Sequence, residues 1–300
     1  MKKNITIMLT GAMLLFILTA CGGGKEPSEN GLFGLVWTGT QYAGVGNNGT
    51  IRTSPDGVSW TSHTSGTSKS LLGLVWSGTQ FVAVGNSGVI LTSPEGVTWT
   101  MRNSNTSNNL YGVAWSGTLF TAVGDTGVII TSFDGITWTL QTSGTLNNLY
   151  GIAWSVTQFA AVGLNGTILT SPDGVTWTSR ISSITDPLGG IIWAGTQFVA
   201  VGNAVAVLTS PDGVTWTSQP SGISNSLSGI AWSGTQFTAV GDTGTILTSN
   251  DAITWSLRSS GTSASLFGIA WSATQSQFVA VGWSNTVFTS PDGVTWTKRS

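Results

Sequence analysis

Tryptophan recurs in this chain at a fixed step. Trp37, Trp76, Trp115, Trp154, Trp193, Trp232 and Trp271 are each 39 residues apart. A second set, Trp60, Trp99, Trp138, Trp177, Trp216, Trp255 and Trp296, keeps that step until its last interval, which is 41. Every step carries a near copy of Ser210-Pro211-Asp212-Gly213-Val214-Thr215-Trp216 and a second shared block like that at 227–241. A period near 40 residues repeated seven times leaves few architectures open, because each unit must bury its apolar face on the next.

Within a period, four short apolar runs are separated by turn chemistry. In the sixth copy they are 227–233, 236–241, 245–249 and 253–257. Apart from the first twenty residues, no segment shows a useful helical period. Four antiparallel strands per period predict an all-β fold, a seven-bladed β-propeller over 32–300, with repeats starting near Leu32, Leu71, Leu110, Leu149, Leu188, Leu227 and Leu266. A solenoid would need distinct capping repeats, whereas the terminal copies here look like the middle ones. One repeat then builds one blade and no strand is shared. Closure rests on blade 7 packing against blade 1, with Glu29–Gly31 assisting. The two extra residues of the last copy fall near Gln275-Ser276, in a surface turn.

Composition excludes several classes of function. Charged residues are 7% of the chain and the net charge is −2. After residue 20, eight cations face twelve acids with no basic cluster, so nucleic acid is a poor partner. Hydrophobic residues reach 40% with fifteen tryptophans, ample for a core. Cys21 is the only cysteine and His63 the only histidine; no disulfide, Cys- or His-based metal site or cofactor is implied.

Residues 1–20 have a basic start at Lys2 and Lys3, an apolar run from Ile5 to Leu18, then small residues before Cys21. The run is short for a bilayer and has the layout of a secretory signal. Leu18-Thr19-Ala20-Cys21 resembles the lipobox of bacterial lipoproteins, which implies cleavage before Cys21 and acylation of its thiol. Gly22 follows the cysteine, which in a Gram-negative cell implies the outer membrane; otherwise the outer face of the cell membrane is expected. Residues 22–31 carry no hydrophobic pattern and read as a tether with a reach of about 16–19 Å.

In Ser-Pro-Asp-Gly, Pro presets φ, Asp bonds nearby amides and Gly tolerates positive φ. The run Ser-Pro-Asp-Gly-Val-Thr-Trp resembles the Asp-box of sialidase-type propellers, except that Asp and Gly are adjacent here. With the preceding Ala-Val-Gly-x-x-Gly-Thr-Ile-Leu-Thr-Ser, it is closer to photosystem II stability and assembly factor-like propellers. The resemblance implies that Asp56, Glu95, Asp134, Asp173, Asp212, Asp251 and Asp292 are folding devices, on the face opposite a sialidase active site. Glu95 and Ala252 depart from the pattern.

A sialidase likeness would also imply a convergent arginine cluster. Arg102, Arg180, Arg258 and Arg299 instead stand one per blade, three residues after a box Trp, where other blades have His63, Gln141 and Gln219. On an outermost strand they read as solubilising an exposed edge. Arg52 lies elsewhere. Outside boxes and tether only Asp125, Asp186 and Asp242 remain, against the close carboxyl pair that glycoside hydrolysis needs.

The seven copies also serve as an internal comparison. The second residue of the first strand reads Phe33, Leu72, Tyr111, Tyr150, Gly189, Ser228, Phe267. The turn after the second strand opens with Asn or Asp in five blades, but with Leu164 in blade 4 and Trp283 in blade 7. Both positions fall on one face near the channel mouth. Phe33, Tyr111, Tyr150, Leu164, Phe267 and Trp283 are therefore the candidate binding face, bordering a recess over blades 5 and 6; drift in a duplicated array is the alternative. The expected function is a non-catalytic, monomeric, lipid-anchored module that binds or supports assembly of another envelope protein. A sialidase-like glycoside hydrolase and an envelope glycan-binding lectin are the alternatives.

Overall fold

The structure is a computed structural model, and it describes residues 31–203 and 206–299. The signal segment, Cys21 and the tether as far as Asn30 lie outside the described residues. Seven four-stranded antiparallel sheets follow one another in chain order, each built from one repeat. No strand is shared between first and last repeats. The first strands pack side by side in a closed ring, blade 7 (Leu266–Ser272) against blade 1 (Leu32–Trp37).

Burial peaks in the middle strands of each blade: the first strand, such as Leu227–Trp232, is only partly buried. The second strand, such as Phe237–Gly241, is buried throughout, and the third, Ile246–Ser249, likewise. The short fourth strand, Ser256–Arg258, is mostly exposed. It begins later than the sequence pattern predicts, because the box occupies residues 250–255 as irregular backbone.

The two tryptophan sets have one cause. A fully buried ring opens each second strand: Tyr42, Phe81, Phe120, Phe159, Phe198, Phe237 and Phe278. In blade 6 the first-strand Trp232 lies 4.1 Å from Phe237, centroid to centroid, and the box Trp255 lies 6.4 Å away on the same ring. These tilted contacts add to area burial, so both tryptophans are fixed by one phenylalanine.

Glycine holds the ring tight at two places per blade. A Cβ on the glycine ending the second strand, such as Gly241, would overlap the carbonyl of the residue before the first strand, Ser226. A Cβ on the third residue of the first strand would press on the next blade: at Gly190 it would lie 2.7 Å from the Ser228 carbonyl, and at Gly268 2.9 Å from that of Phe33. The last contact joins blade 7 to blade 1 by the rule that joins the others.

The seam still differs in its side chains. Arg52 stands in the third strand where the other blades bury Leu91, Ile130, Leu169, Leu208, Leu247 and Phe288, and its Nε is buried without a partner. Tyr42 replaces phenylalanine there, with its hydroxyl 3.5 Å from the Gln277 carbonyl; burial pushes its pKa up to about 12. On the other face, Gly31 donates its N–H to Asn47 Oδ1 at 2.6 Å. The extra pair of residues sits in a turn, Ala273–Ser276.

Candidate functional site: two faces of the ring

Turns between first and second strands, and between third and fourth, share one face, here the box face. Turns between second and third strands share the other with the loops that link blades, here the loop face.

On the box face the Ser-Pro-Asp-Gly turn itself repeats in all seven blades, with single departures at Glu95, Phe133, Asn250 and Ala252. In blade 5 the Ser210 hydroxyl donates to Asp212 Oδ1 at 3.1 Å, and the N–H groups of Val214 and Thr215 donate to the same oxygen at 2.8 Å. The Trp216 indole N–H closes on the Gly213 carbonyl at 2.9 Å. Backbone donors hold the six box aspartates below their usual range, Asp134 and Asp251 at about 2, the first through the N–H of Thr137 and the second through that of Thr254. Glu95 is the weak copy: it accepts only the Thr98 N–H, at 2.8 Å. Ala252 keeps the turn at φ 62° with its methyl fully buried. The box acids are thus engaged with their own turns.

The box also links neighbouring blades. Gln41 Nε2 donates to the Glu95 carbonyl at 3.0 Å and Gln80 Nε2 to that of Asp134 at 2.9 Å. Gln277 Nε2 reaches the Asp56 carbonyl at 2.8 Å, closing the circle between blades 7 and 1. The recurring Gln after Ser-Gly-Thr signals this latch in the sequence. In blade 3 Leu119 replaces it and joins the apolar packing with blade 4.

The arginine row is not a row of free edge charges. Arg102 Nε donates inward to Thr92 Oγ1 at 2.9 Å, and Arg180, Arg258 and Arg299 repeat this with Thr170, Thr248 and Thr289. Gln141, Gln219 and His63 make the same bridge to Thr131, Thr209 and Thr53. The register is a hydrogen bond across the two outer strands, which four arginines satisfy while keeping a charge near the edge.

The loop face is where the sevenfold pattern breaks. Phe33, Phe267 and Trp283 form an edge-to-face cluster across the blade 7–1 seam, with centroids 5.2, 5.3 and 5.9 Å apart. Gly31 lies directly against Trp283, so the chain joins the propeller beside this cluster. On blades 3 and 4, Tyr111 and Tyr150 pack at 5.3 Å. The Tyr111 hydroxyl donates to Asp125 Oδ1 at 2.6 Å. Burial first, then that carboxylate, raises its pKa well above the ordinary phenol value. Tyr150 is only 6% exposed, so Tyr111 presents more of the pair. Leu164 opens its turn half-buried, bonded through its N–H to the Asn148 carbonyl. Gly189 and Ser228 leave a gap between Tyr150 and Phe267. The candidates therefore form two aromatic groups rather than one continuous border.

Sequence reading missed a cleft on this face between the loops before blades 4 and 5. It measures about 750 Å³ and is lined by Thr145, Asn147, Asn165, Arg180, Ser183 and Asp186, among others. Its signal was the loop at 181–187, Ile-Ser-Ser-Ile-Thr-Asp-Pro, which departs from the Thr142-Ser143-Gly144-Thr145 of the loop before it and lacks the glycine of Pro220-Ser221-Gly222-Ile223 after it. Among the described residues, no three His, Cys, Asp or Glu side chains are placed to hold a metal, and no helix is long and apolar enough to cross a membrane.

No family model and no curated protein matches the chain. Solved structures do. A YCF48 structure bound to a D1 peptide superposes with a TM-score of 0.71 at 15% identity, covering 90% of this chain and 93% of that one. YCF48 from Cyanidioschyzon merolae gives 0.69 at 16%, covering 87% and 95%. At this identity the likeness establishes a shared propeller fold.

Proposed function

We propose that this chain is a non-catalytic binding module for a polypeptide of the bacterial envelope, anchored through a lipidated Cys21 and acting as a monomer. The observation that carries the reading is the concentration of symmetry-breaking aromatic residues on the loop face, while the box acids of the other face are occupied by their own turns. Half-buried aromatic rings on a rigid scaffold are the residue types enriched at protein interfaces. A YCF48 propeller of similar shape has been solved with a peptide bound, which supports a polypeptide ligand for this architecture.

Position adds to the reading. The described chain starts at Gly31 on the loop face, beside Trp283. Nine residues lie between Cys21 and Gly31. An anchor at Cys21 would therefore hold the aromatic face toward the bilayer and leave the box face outward.

The test is cross-linking of the full chain in intact cells, followed by identification of what co-purifies. One recurrent envelope protein is expected, lost when Cys21→Ser releases the chain from the membrane fraction. A Cys21→Ser chain still in that fraction refutes the anchor, and an absence of any recurrent protein refutes the binding reading. The glycan alternative has one supporting observation, the cleft lined by amides and hydroxyls; a hit on a glycan array would favour it.

A further inference from the structure

We infer that the gap over blades 5 and 6 on the loop face seats a cationic side chain, a lysine or arginine of the partner polypeptide. This rests on the loop-face reading and gives it a chemistry.

Blades 3 and 6 carry the same Asp-Thr-Gly turn, and only one of them uses its acid. In blade 3, Asp125 accepts the Tyr111 hydroxyl at 2.6 Å and the Asn109 N–H at 3.3 Å. In blade 6 the residue matching Tyr111 is Ser228, and the half-buried Asp242 carboxylate holds no hydrogen bond among the described residues. A carboxylate so placed keeps its full acceptor capacity for a ligand.

The neighbouring turn supplies a second acceptor. Asn203 Oδ1 is buried and unpaired, and the cause is one residue. In blade 1 the matching Asn47 Oδ1 accepts the N–H of Gly31 at 2.6 Å. In blade 5 that place belongs to Pro187, which has no N–H. An unpaired buried acceptor is unfavourable, so turning the Asn203 carboxamide toward a ligand donor gives up no bond.

The rest of the gap suits the same ligand. Gly189 and Ser228 leave room, while Tyr150 and Phe267 stand on either side at the same strand position. Tyr150 is only 6% exposed, so the half-buried Phe267 presents the aromatic face that attracts a cation and packs along its aliphatic stem. A charged N–H donor meeting a carboxylate makes the stronger class of hydrogen bond. No lysine or arginine stands in any first strand or in any turn after a second strand, and the blade-linking loops carry only Lys69, before blade 2, away from blades 5 and 6. An anionic ligand would meet Asp242 unscreened.

The experiment uses the full chain in detergent and two dye-labelled peptides, one of repeated Gly-Ser-Arg units and the other with citrulline, arginine's neutral isostere. Fluorescence polarisation should show binding of the arginine peptide alone. Asp242→Asn and Ser228→Phe should each weaken it at least about ten-fold. Both variants suit the fold, since asparagine opens this turn in blades 1, 2 and 5, and phenylalanine fills the strand position in blades 1 and 7. Asp173→Asn, the same charge change on the box face, should leave binding unchanged. Equal binding of both peptides, no binding at millimolar concentration, or equal loss in Asp173→Asn overturns the proposal. Capture of the cellular partner separates this proposal from its parent. Loss in Tyr111→Ala/Tyr150→Ala/Trp283→Ala with full capture by Asp242→Asn removes the cation seat alone; full capture by both removes the loop-face reading too.

Discussion

The box face and the loop face are built from the same seven repeats, yet they treat side chains differently. At the box, a substitution must be repaired within the turn: Ala252 stays at φ 62° and Glu95 keeps one of two backbone bonds. At the loop face, Tyr, Leu, Phe, Ser and Gly exchange at one strand position without disturbing the register. The difference lies in what the side chain does. A box aspartate replaces missing backbone partners in its turn, whereas the loop-face residue is the bulged position of its first strand, skipped in the pairing with the second strand in every blade, so its side chain has no cross-strand partner to match.

That contrast concerns side chains, and the backbone beneath the loop face should prove as demanding as the box. Gly229→Ala would push a methyl into the Phe267 carbonyl of the next blade. It is expected to cost about 2–4 kcal/mol, read as a lowered midpoint of chemical unfolding. A neutral result would mean that the ring is looser than its inner strands indicate.

Asp212→Ala should come next, removing the acceptor of two backbone N–H groups and the partner of Ser210. The expected loss is about 1–2 kcal/mol, with partner capture unchanged. The acid range gives the same test without mutation. The native box aspartates titrate below their unfolded value of 3.8. Their contribution is therefore complete above about pH 4 and fades as pH falls toward about 2. The aspartates are largely exposed, so each contributes little, and the six together should lower the melting temperature across that window. A melting temperature that stays flat or rises there contradicts the box geometry.

Two small effects sharpen the comparison within the box face. Val156 stands at φ 82° and is 77% exposed, where five other blades have glycine. Val156→Gly should relieve strain with no buried area lost, raising stability by about 1 kcal/mol. Ala252→Gly relieves a similar strain but gives up a buried methyl, so its effect should be near zero or slightly favourable. Thermal melts of the pair check this order; a clear loss in Ala252→Gly would overturn the turn assignment.

Much of this was legible in the sequence because sevenfold repetition exposes register. The tryptophan step predicts the blades, and Ser-Pro-Asp-Gly predicts the turn that the structure shows. The inward bridge of Arg102 to Thr92 was not legible as such: an outer-strand arginine reads as an edge charge until the partner threonine, ten residues earlier, is seen across the strand pair. Nor was the split of the loop-face aromatics into two groups. The channel position of each ring follows from its repeat, but the packing of Trp283 on Phe33 and Gly31 crosses the seam between chain ends, where no periodicity applies. The orphaned Asn203 oxygen depended on Pro187 lying opposite it, a pairing visible only in the fold.

The central claim is that binding belongs to the loop face and folding to the box face. Its most direct test is partner capture by cross-linking in intact cells with Tyr111→Ala/Tyr150→Ala/Trp283→Ala, alongside its melting curve. A chain that still melts cooperatively but captures at least about ten-fold less partner is the predicted result; undiminished capture by a folded chain would contradict the account.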